Sequence, residues 1–309
     1  MTKIAVVGSI ITDLAVLTPR VPDRGENILA HRLQIGPGGK GANAAVAVAR
    51  LGAQSILLGR VGDDNFGSEE LAALRAEGVN TDAVGVDPEA QTGTAVVMID
   101  DTGENTILVI IGANDQLTPE HIEEGLAPHW EHLDAMLVNF EVPEAAVAAA
   151  VNLAHERGIP VVVDAGPPRE FGADVWSNAT VISPNELEAA TLVGHPVKSD
   201  AEIEDAARQL LAAGPQAVVL KLGPAGAFLA TESGTQHYPT FPVKVVDTSG
   251  AGDAFTAALV LAMAEGKPLH EAIRMGNAAG SLAVMRVGTL PVMPTRKEVE
   301  NFLSQQDTE

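Results

Sequence analysis

The run Asp247, Thr248, Ser249, Gly250, Ala251, Gly252, Asp253 puts two glycines just ahead of an apolar, helix-forming stretch. Glycines let the backbone turn its N–H groups toward one point, and a helix start adds partial positive charge there. Such a nest binds phosphate oxygens without any Lys or Arg. A carboxylate at Asp253, beside that nest, would repel a bound phosphate unless it had a task. The useful task is general base, accepting the proton of an attacking hydroxyl. The plain alternative is that Asp253 caps the helix and that Gly250 and Gly252 serve only a turn. Residues 243–247 read as a strand running into the motif, and 253–264 as the helix leaving it.

A second glycine-rich stretch, Gly36, Pro37, Gly38, Gly39, Lys40, Gly41, Ala42, Asn43, opens a helix over 42–51. It formally matches G-x-G-x-x-G, with Asp63 about twenty residues on, and so admits a dinucleotide-binding, dehydrogenase reading. The preceding residues 31–35 alternate polar and apolar, as an exposed strand does, which argues against that reading. Gly41, not Ser or Thr, follows Lys40, so the stretch is not a Walker A loop. It remains a glycine hinge that presents Lys40 and Asn43 at a helix start. Lys40 can donate to hydroxyl or carbonyl oxygens, and Asn43 can donate and accept, which suits reading a polyol. Asn185 and Glu188 lie one helical turn apart on a shared face. At the C-terminal edge of a sheet they could hold a hydrated Mg²⁺ beside phosphates, or they could simply cap their helix. Glu141 follows an apolar strand, where a ligand crevice belongs.

Composition narrows what these groups can act on. The 309 residues include 19 Lys and Arg against 41 Asp and Glu, a net charge of −22. A chain so poor in cations is not built to capture a nucleic acid backbone, and any anionic ligand must be held locally. The absence of cysteine excludes disulfides, thiolate nucleophiles, Fe–S clusters and cysteine zinc sites together. Residues 1–17 read as a first strand rather than a signal peptide, and the apolar stretch 254–264 is too short to span a bilayer. A soluble cytoplasmic protein that contacts neither nucleic acid nor membrane is the expectation. Hydrophobic residues make up 46%, enough for a large core.

These groups must be positioned by an alternating frame. Residues 135–140, 159–163, 180–183 and 217–222 read as buried strands, separated by helices over 144–157, 185–193 and 202–213. Strands buried on both faces and alternating with helices make a mostly parallel sheet in an α/β fold. The first half differs. After a strand over 4–10, residues 13–35 are mixed and punctuated by Gly and Pro. Helices over 42–51 and 68–77 flank a strand over 55–59, and 94–99 with 106–111 read as a hairpin around the polar turn 100–105. A small β-layer inserted on the α/β body follows, with no domain boundary in the 309 residues.

Taken together and in order, these motifs are similar to those of the PfkB/ribokinase family of sugar kinases and, within it, the ribokinases. Residues 3–13 resemble its first strand and G-S-x-N-x-D element, and 38–43 its first signature. Gly103, Glu104, Asn105 with Gly112, Ala113, Asn114 resemble a lid segment, Asn185 to Glu188 the N-x-x-E motif, and 247–253 the D-T-x-G-A-G-D signature. The resemblance implies a three-layer α/β/α sandwich with a small β-sheet lid, built from about 13–35 and 92–111, that pairs with its twin in a homodimer. It implies transfer of the γ-phosphate of ATP to the primary hydroxyl of a pentose, ribose first. Asp253 would be the base, and the amides of Gly250, Ala251 and Gly252 the anion hole. Asp13, Gly39, Lys40, Asn43 and Glu141 would hold the sugar. Asn185 and Glu188 would position Mg²⁺ and phosphates, and Lys221, Gly223, Gly226 and Asn277 would contact ATP. An activating K⁺ would lie at Asp247, Ser249, Ala283, Arg286 and Gly288.

The sequence departs from the family pattern at several positions. Ile11 stands where the family's Asn binds a sugar hydroxyl, which suits a 2-deoxyribose acceptor. Thr12 carries a hydroxyl, but strand alternation points it to the face opposite Ile11. Val292 replaces a hydroxyl-bearing residue near the cation positions. Lys221 stands where ribokinases often carry Thr, and Asp164, Ala165, Gly166, Pro167, Pro168 replace N-P-A-P. Other sugars, sugar acids or nucleosides are further acceptors to weigh. A non-catalytic sugar or nucleotide sensor is the reading from a different class; it has no need of the intact Asp253.

Overall fold

The computed structural model describes residues 1–306. The chain opens with β1 (Lys3–Val7), followed by β2 (Ile11–Leu17) and β3 (Arg32–Gly38). Then come α1 (Lys40–Arg50), β4 (Gln54–Gly62), α2 (Asn65–Ala76) and β5 (Val84–Asp87). The hairpin of β6 (Gly93–Ile99) and β7 (Asn105–Ile110) leads to α3 (Pro119–Leu126). The second half runs β8 (Ala135–Asn139), α4 (Glu144–Glu156), β9 (Val161–Asp164), α5 (Ala173–Trp176), β10 (Val181–Ile182), α6 (Glu186–Val193), α7 (Asp200–Ala212) and β11 (Ala217–Lys221). The hairpin β12 (Ala227–Thr231) and β13 (Gly234–Tyr238) precedes α8 (Ala251–Ala264), α9 (Leu269–Ala283) and α10 (Arg296–Gln306).

The main sheet has nine strands in the order β13-β12-β11-β10-β9-β8-β1-β4-β5. Strands β11 through β5 are parallel, and β12 and β13 add an antiparallel edge. Alternation along each strand sends side chains to two cores. Ile4, Val6, Leu57, Leu137 and Val219 pack with α1, α8 and α9, while Ala5, Val7, Leu58, Val138 and Leu220 pack with α3, α4 and α7. The result is a helix–sheet–helix sandwich with a mostly parallel sheet.

The mixed stretch in the first half resolves into a separate four-stranded sheet in the order β3-β2-β6-β7. Strand β2 pairs antiparallel with β3 and parallel with β6, which pairs antiparallel with β7. Buried Asn114 pins this sheet to the body: its Oδ1 accepts from the Ile10 amide at 2.8 Å, and its Nδ2 donates to the Ile10 carbonyl at 2.8 Å.

The expected strand over 243–247 does not form. Pro239 and Pro242 lie just ahead of it, Val245 and Val246 are more than half exposed, and it joins neither sheet. The Val246 and Asp247 amides donate instead to the Val284 carbonyl at 2.7 and 3.2 Å. Val243 and Val245 line a cavity rather than a sheet. Helix α8 begins at Ala251, two residues earlier than its expected start, because Gly250 takes a left-handed turn at φ 72° as its N-cap.

Candidate active site

Two helix starts converge at the C-terminal edge of the main sheet. At α1, Gly39 has φ 88°, and a Cβ there would lie 2.8 Å from the Ile11 amide nitrogen. A Cβ on Gly41 would lie 2.4 Å from the Gly8 carbonyl carbon. These glycines therefore let α1 press against the β1–β2 crossing. Lys40 and Asn43 then lie in the first turn of α1, and Asp253 in the first turn of α8. Asn43 Nδ2 donates to Asp253 Oδ2 at 3.0 Å, and Lys40 Nζ lies 3.6 Å from Asp253 Oδ1. Asn43 Oδ1 is buried without a protein partner, so it is free to accept from a ligand hydroxyl.

Asp13 and Glu141 join this group of side chains. Glu141 accepts from the Ser9 hydroxyl and from the Lys40 backbone amide, the latter at 3.1 Å. Asp13 accepts from the Thr289 hydroxyl at 3.4 Å and lies over Gly38, where a Cβ would meet its carboxylate at 2.3 Å. Burial and the nearby charge of Glu141 push the Asp13 carboxyl up to about 6, with Asp253 adding to the rise against the Thr289 hydrogen bond. Burial alone would lower the Lys40 pKa, but Asp253, Asp164, Glu188 and Glu141 outweigh it and hold the ammonium charged. Ile11 is buried, and Thr12 turns away to donate to Glu70 Oε1 at 2.8 Å, so neither adds a polar group beside Asp13.

From Asp253 a cavity of about 1090 Å³ runs past Gly250, Ala251 and Gly252. Its near end carries Lys40, Glu188 and Lys221; its far end is apolar, with Phe241, Pro242, Val243, Val245 and Val284. A charged end and an apolar slot suit a nucleoside polyphosphate. Gly223 and Gly226 turn beside it at φ 52° and 96°, and a Cβ on Gly226 would strike the Tyr238 carbonyl at 2.2 Å. Asn277 donates its Nδ2 to the Tyr238 and Pro239 carbonyls at 3.3 and 3.2 Å, leaving Oδ1 without a partner from this pair.

Asn185 and Glu188 do form the cap that was one of their two readings. Asn185 Oδ1 accepts from the Glu188 amide at 2.9 Å, and Glu188 Oε2 accepts from the Asn185 amide at 2.7 Å. Glu188 Oε1 is not used by the cap; a Cβ on Gly166 would meet it at 2.6 Å. One carboxylate oxygen left over at the cavity wall fits Mg²⁺ held through water and a bound nucleotide, the way this hard cation is usually bound.

The five positions that the resemblance gives to K⁺ are brought together where the segment ahead of α8 meets the end of α9. Asp247 bridges the two: Oδ1 accepts from the Ser249 amide and Oδ2 from the Gly288 amide, each at 2.9 Å. Burial opposes ionisation of Asp247, but these hydrogen bonds win and hold its pKa below the usual carboxylate value. Arg286 pairs with Glu298, so it can offer only its carbonyl, as can Ala283 and Gly288. An anionic Asp247 among carbonyls is a donor set that fits a monovalent cation. Val292 is fully buried in the core and offers no hydroxyl.

Sequence reasoning missed Ser9 as the partner of Glu141, Thr289 as the partner of Asp13, and Asp164 as the partner of Lys221. None has a spacing signal, because each meets its partner from a distant segment.

The sequence pattern of the pfkB family carbohydrate kinases matches residues 1–296. The chain is 40% identical to the ribokinase of Bacillus subtilis over 304 residues, covering 98% of this chain and 100% of that protein. It is 33% identical to the deoxyribokinase of Salmonella typhi over 302 residues, covering 97% and 98%. The structure of Arabidopsis thaliana ribokinase complexed with ribose and ATP superposes with a TM-score of 0.90 at 33% identity, covering 98% of this chain and 99% of that one. The alignment spans both the main sheet and the segments around Asp253, so the chain belongs to the pfkB family of carbohydrate kinases.

Proposed function

We propose that this protein transfers the γ-phosphate of ATP to the primary hydroxyl of a pentose, with D-ribose the first acceptor and D-ribose 5-phosphate the product. The observation that carries the reading is Asp253: buried, held by Asn43, and set beside the amides of Gly250, Ala251 and Gly252 at the mouth of the cavity. Asp253 takes the hydroxyl proton as the new O–P bond forms and the bond to ADP breaks. The amide nest receives the charge of the transferring phosphoryl group. Asp13, Asn43, Glu141, Gly39 and Lys40 hold the remaining sugar hydroxyls and fix the attacking one in line. The apolar slot takes the adenine, with Gly223, Gly226 and Asn277 along it. Bound through Glu188, Asn185 and the phosphates, Mg²⁺ would neutralise phosphate charge; bound at Asp247, Ser249, Ala283, Arg286 and Gly288, K⁺ would add positive charge near the nest. The small sheet serves as a lid that excludes water, and pairs with a second copy. Among the described residues no helix is long and apolar enough to cross a membrane; the reading puts the enzyme in the cytoplasm, with ATP and sugar as its partners.

A second acceptor, 2-deoxyribose, is favoured by one observation. Ile11 cannot hydrogen-bond, and Thr12 is spent on Glu70, so nothing at that point replaces a hydroxyl ligand. ADP release with Mg-ATP and K⁺, measured side by side on the two sugars, tests both readings. Faster turnover with ribose supports the first, and a preference for deoxyribose the second. No release with either sugar would overturn both. Ile11→Asn is expected to shift kcat/KM toward ribose by roughly 10-fold, the worth of one recovered hydrogen bond.

A further inference from the structure

Two positions at which the sequence departs from what ribokinases usually carry, 164 and 221, meet in the folded chain. Lys221 ends β11 and Asp164 ends β9, two strands apart. Lys221 Nζ lies 2.6 Å from Asp164 Oδ1 and 3.8 Å from Glu188 Oε2. The side chains are only 12% and 4% exposed. The same ammonium lies 3.6 Å from where a Cβ on Gly252 would stand, so it rests against the nest. We infer that Asp164 is a positioning residue for the nucleotide: it holds the Lys221 ammonium beside the nest, where that cation meets the terminal phosphates of ATP. The inference rests on the kinase reading above.

The argument is one of charge and donors. Among the described residues that line the large cavity, Lys40 and Lys221 are the cations. Lys40 is turned toward Asp253, on the acceptor side. Lys221 instead pairs with Asp164 and rests against Gly252 of the nest, which sets it to face the phosphates on the nucleotide side. An ammonium has three donors; Asp164 takes one, and 3.8 Å to Glu188 is too long for a hydrogen bond, so two remain for phosphate oxygens. A lysine stem has four rotatable bonds, and without an anchor its charge would not stay at one point. Burying an ion pair costs desolvation that apolar residues would avoid, so the pair is a poor device for stability alone. At the wall of a phosphate cavity it has a use.

The test is binding of ATP and of adenosine to the full chain by calorimetry with Mg²⁺, together with KM values for ATP and sugar. Lys221→Met is expected to weaken ATP by about 10-fold, the worth of charge-assisted hydrogen bonds, and to leave adenosine unchanged. Asp164→Asn is expected to weaken ATP by about 3-fold to 10-fold and raise its KM without moving the sugar KM, and Asp164→Glu to recover most of the loss. In a Lys221→Met background, Asp164→Asn should add nothing. Unchanged ATP affinity in Asp164→Asn overturns the inference, and so does equal weakening of ATP and adenosine, which a merely structural role would produce. Should a single variant leave a lone buried charge and not fold, the double variant Asp164→Asn/Lys221→Met removes both charges. It should bind adenosine normally and ATP weakly, and normal ATP binding by it refutes the inference. A wild-type chain that binds ATP no better than adenosine would instead refute the kinase reading.

Discussion

Replacing the Asp253 carboxylate by an amide of the same shape isolates proton acceptance from packing. Asp253→Asn keeps a partner for Asn43 but cannot accept a proton. It is expected to cut kcat by about 10³-fold or more with sugar affinity within a few-fold of wild type, read by turnover and calorimetry. Near-normal turnover would remove Asp253 from the role of base. Asp13 makes a pH prediction. Its carboxyl titrates at about 6 in the folded chain against 3.8 when free, so the native state binds the proton more readily. Its contribution to stability is therefore largest at low pH and is lost as pH rises through 6. On the proposed reading, in which Asp13 holds sugar hydroxyls, binding runs the other way, because the ionised carboxylate accepts through both oxygens and protonation turns one of them into a donor. Sugar kcat/KM should fall as pH drops through about 6, and Asp13→Asn should flatten that acid limb; a limb unchanged by the substitution would assign it to another group.

At the scale of elements, α2 and β2 are joined by one hydrogen bond from Thr12 to Glu70. Burial pushes the Glu70 carboxyl up to about 8, with Asp13 and Glu69 adding to the rise against the Thr12 hydrogen bond, and its Oε2 has no partner. The raised value means the native state keeps the proton that the unfolded chain gives up above 4.5. Stability should therefore decline from pH 5 to pH 8, by roughly 3 kcal/mol. Glu70→Gln keeps the acceptor for Thr12 and removes the charge, so its melting temperature should vary less with pH over that range. Equal pH slopes in the two proteins would show that Glu70 is not the group responsible. The joint matters because β2 leads from the body into the small sheet.

At the scale of the whole molecule, the small sheet leaves apolar surface uncovered. Leu33, Ile35, Leu108 and Ile110 are 51% to 58% exposed, and register puts them on the face opposite Asp13. Such a face on a sheet calls for a cover. A second copy of the chain is the expected cover, giving a dimer by light scattering. Leu108→Lys with Ile110→Lys should yield a monomer that keeps its main-sheet fold by circular dichroism. A monomeric wild-type chain would overturn this.

What the sequence by itself determined is local. The spacing of Asn185 and Glu188 wrote a capping box, Gly194 ended α6 in a left-handed turn, and the apolar runs marked the buried parallel strands. The glycines around Lys40 and ahead of Asp253 marked two helix starts, because their conformational needs are met within a few residues. Residues 243–247 show the limit of such reading: an apolar run reads as a buried strand, yet with no partner strand Val245 and Val246 stay more than half exposed, and Val243 and Val245 line a cavity. The antiparallel pair β12 and β13 also escaped, since its place at the sheet edge is set by pairing with β11. Only the tertiary structure decided the contacts that bring together Asp13, Asn43, Glu141 and Asp253, a set the family resemblance groups, and that Asp164 pairs with Lys221. Those contacts join segments tens to hundreds of residues apart. Their geometry depends on the order of strands in the sheet, which no local spacing encodes.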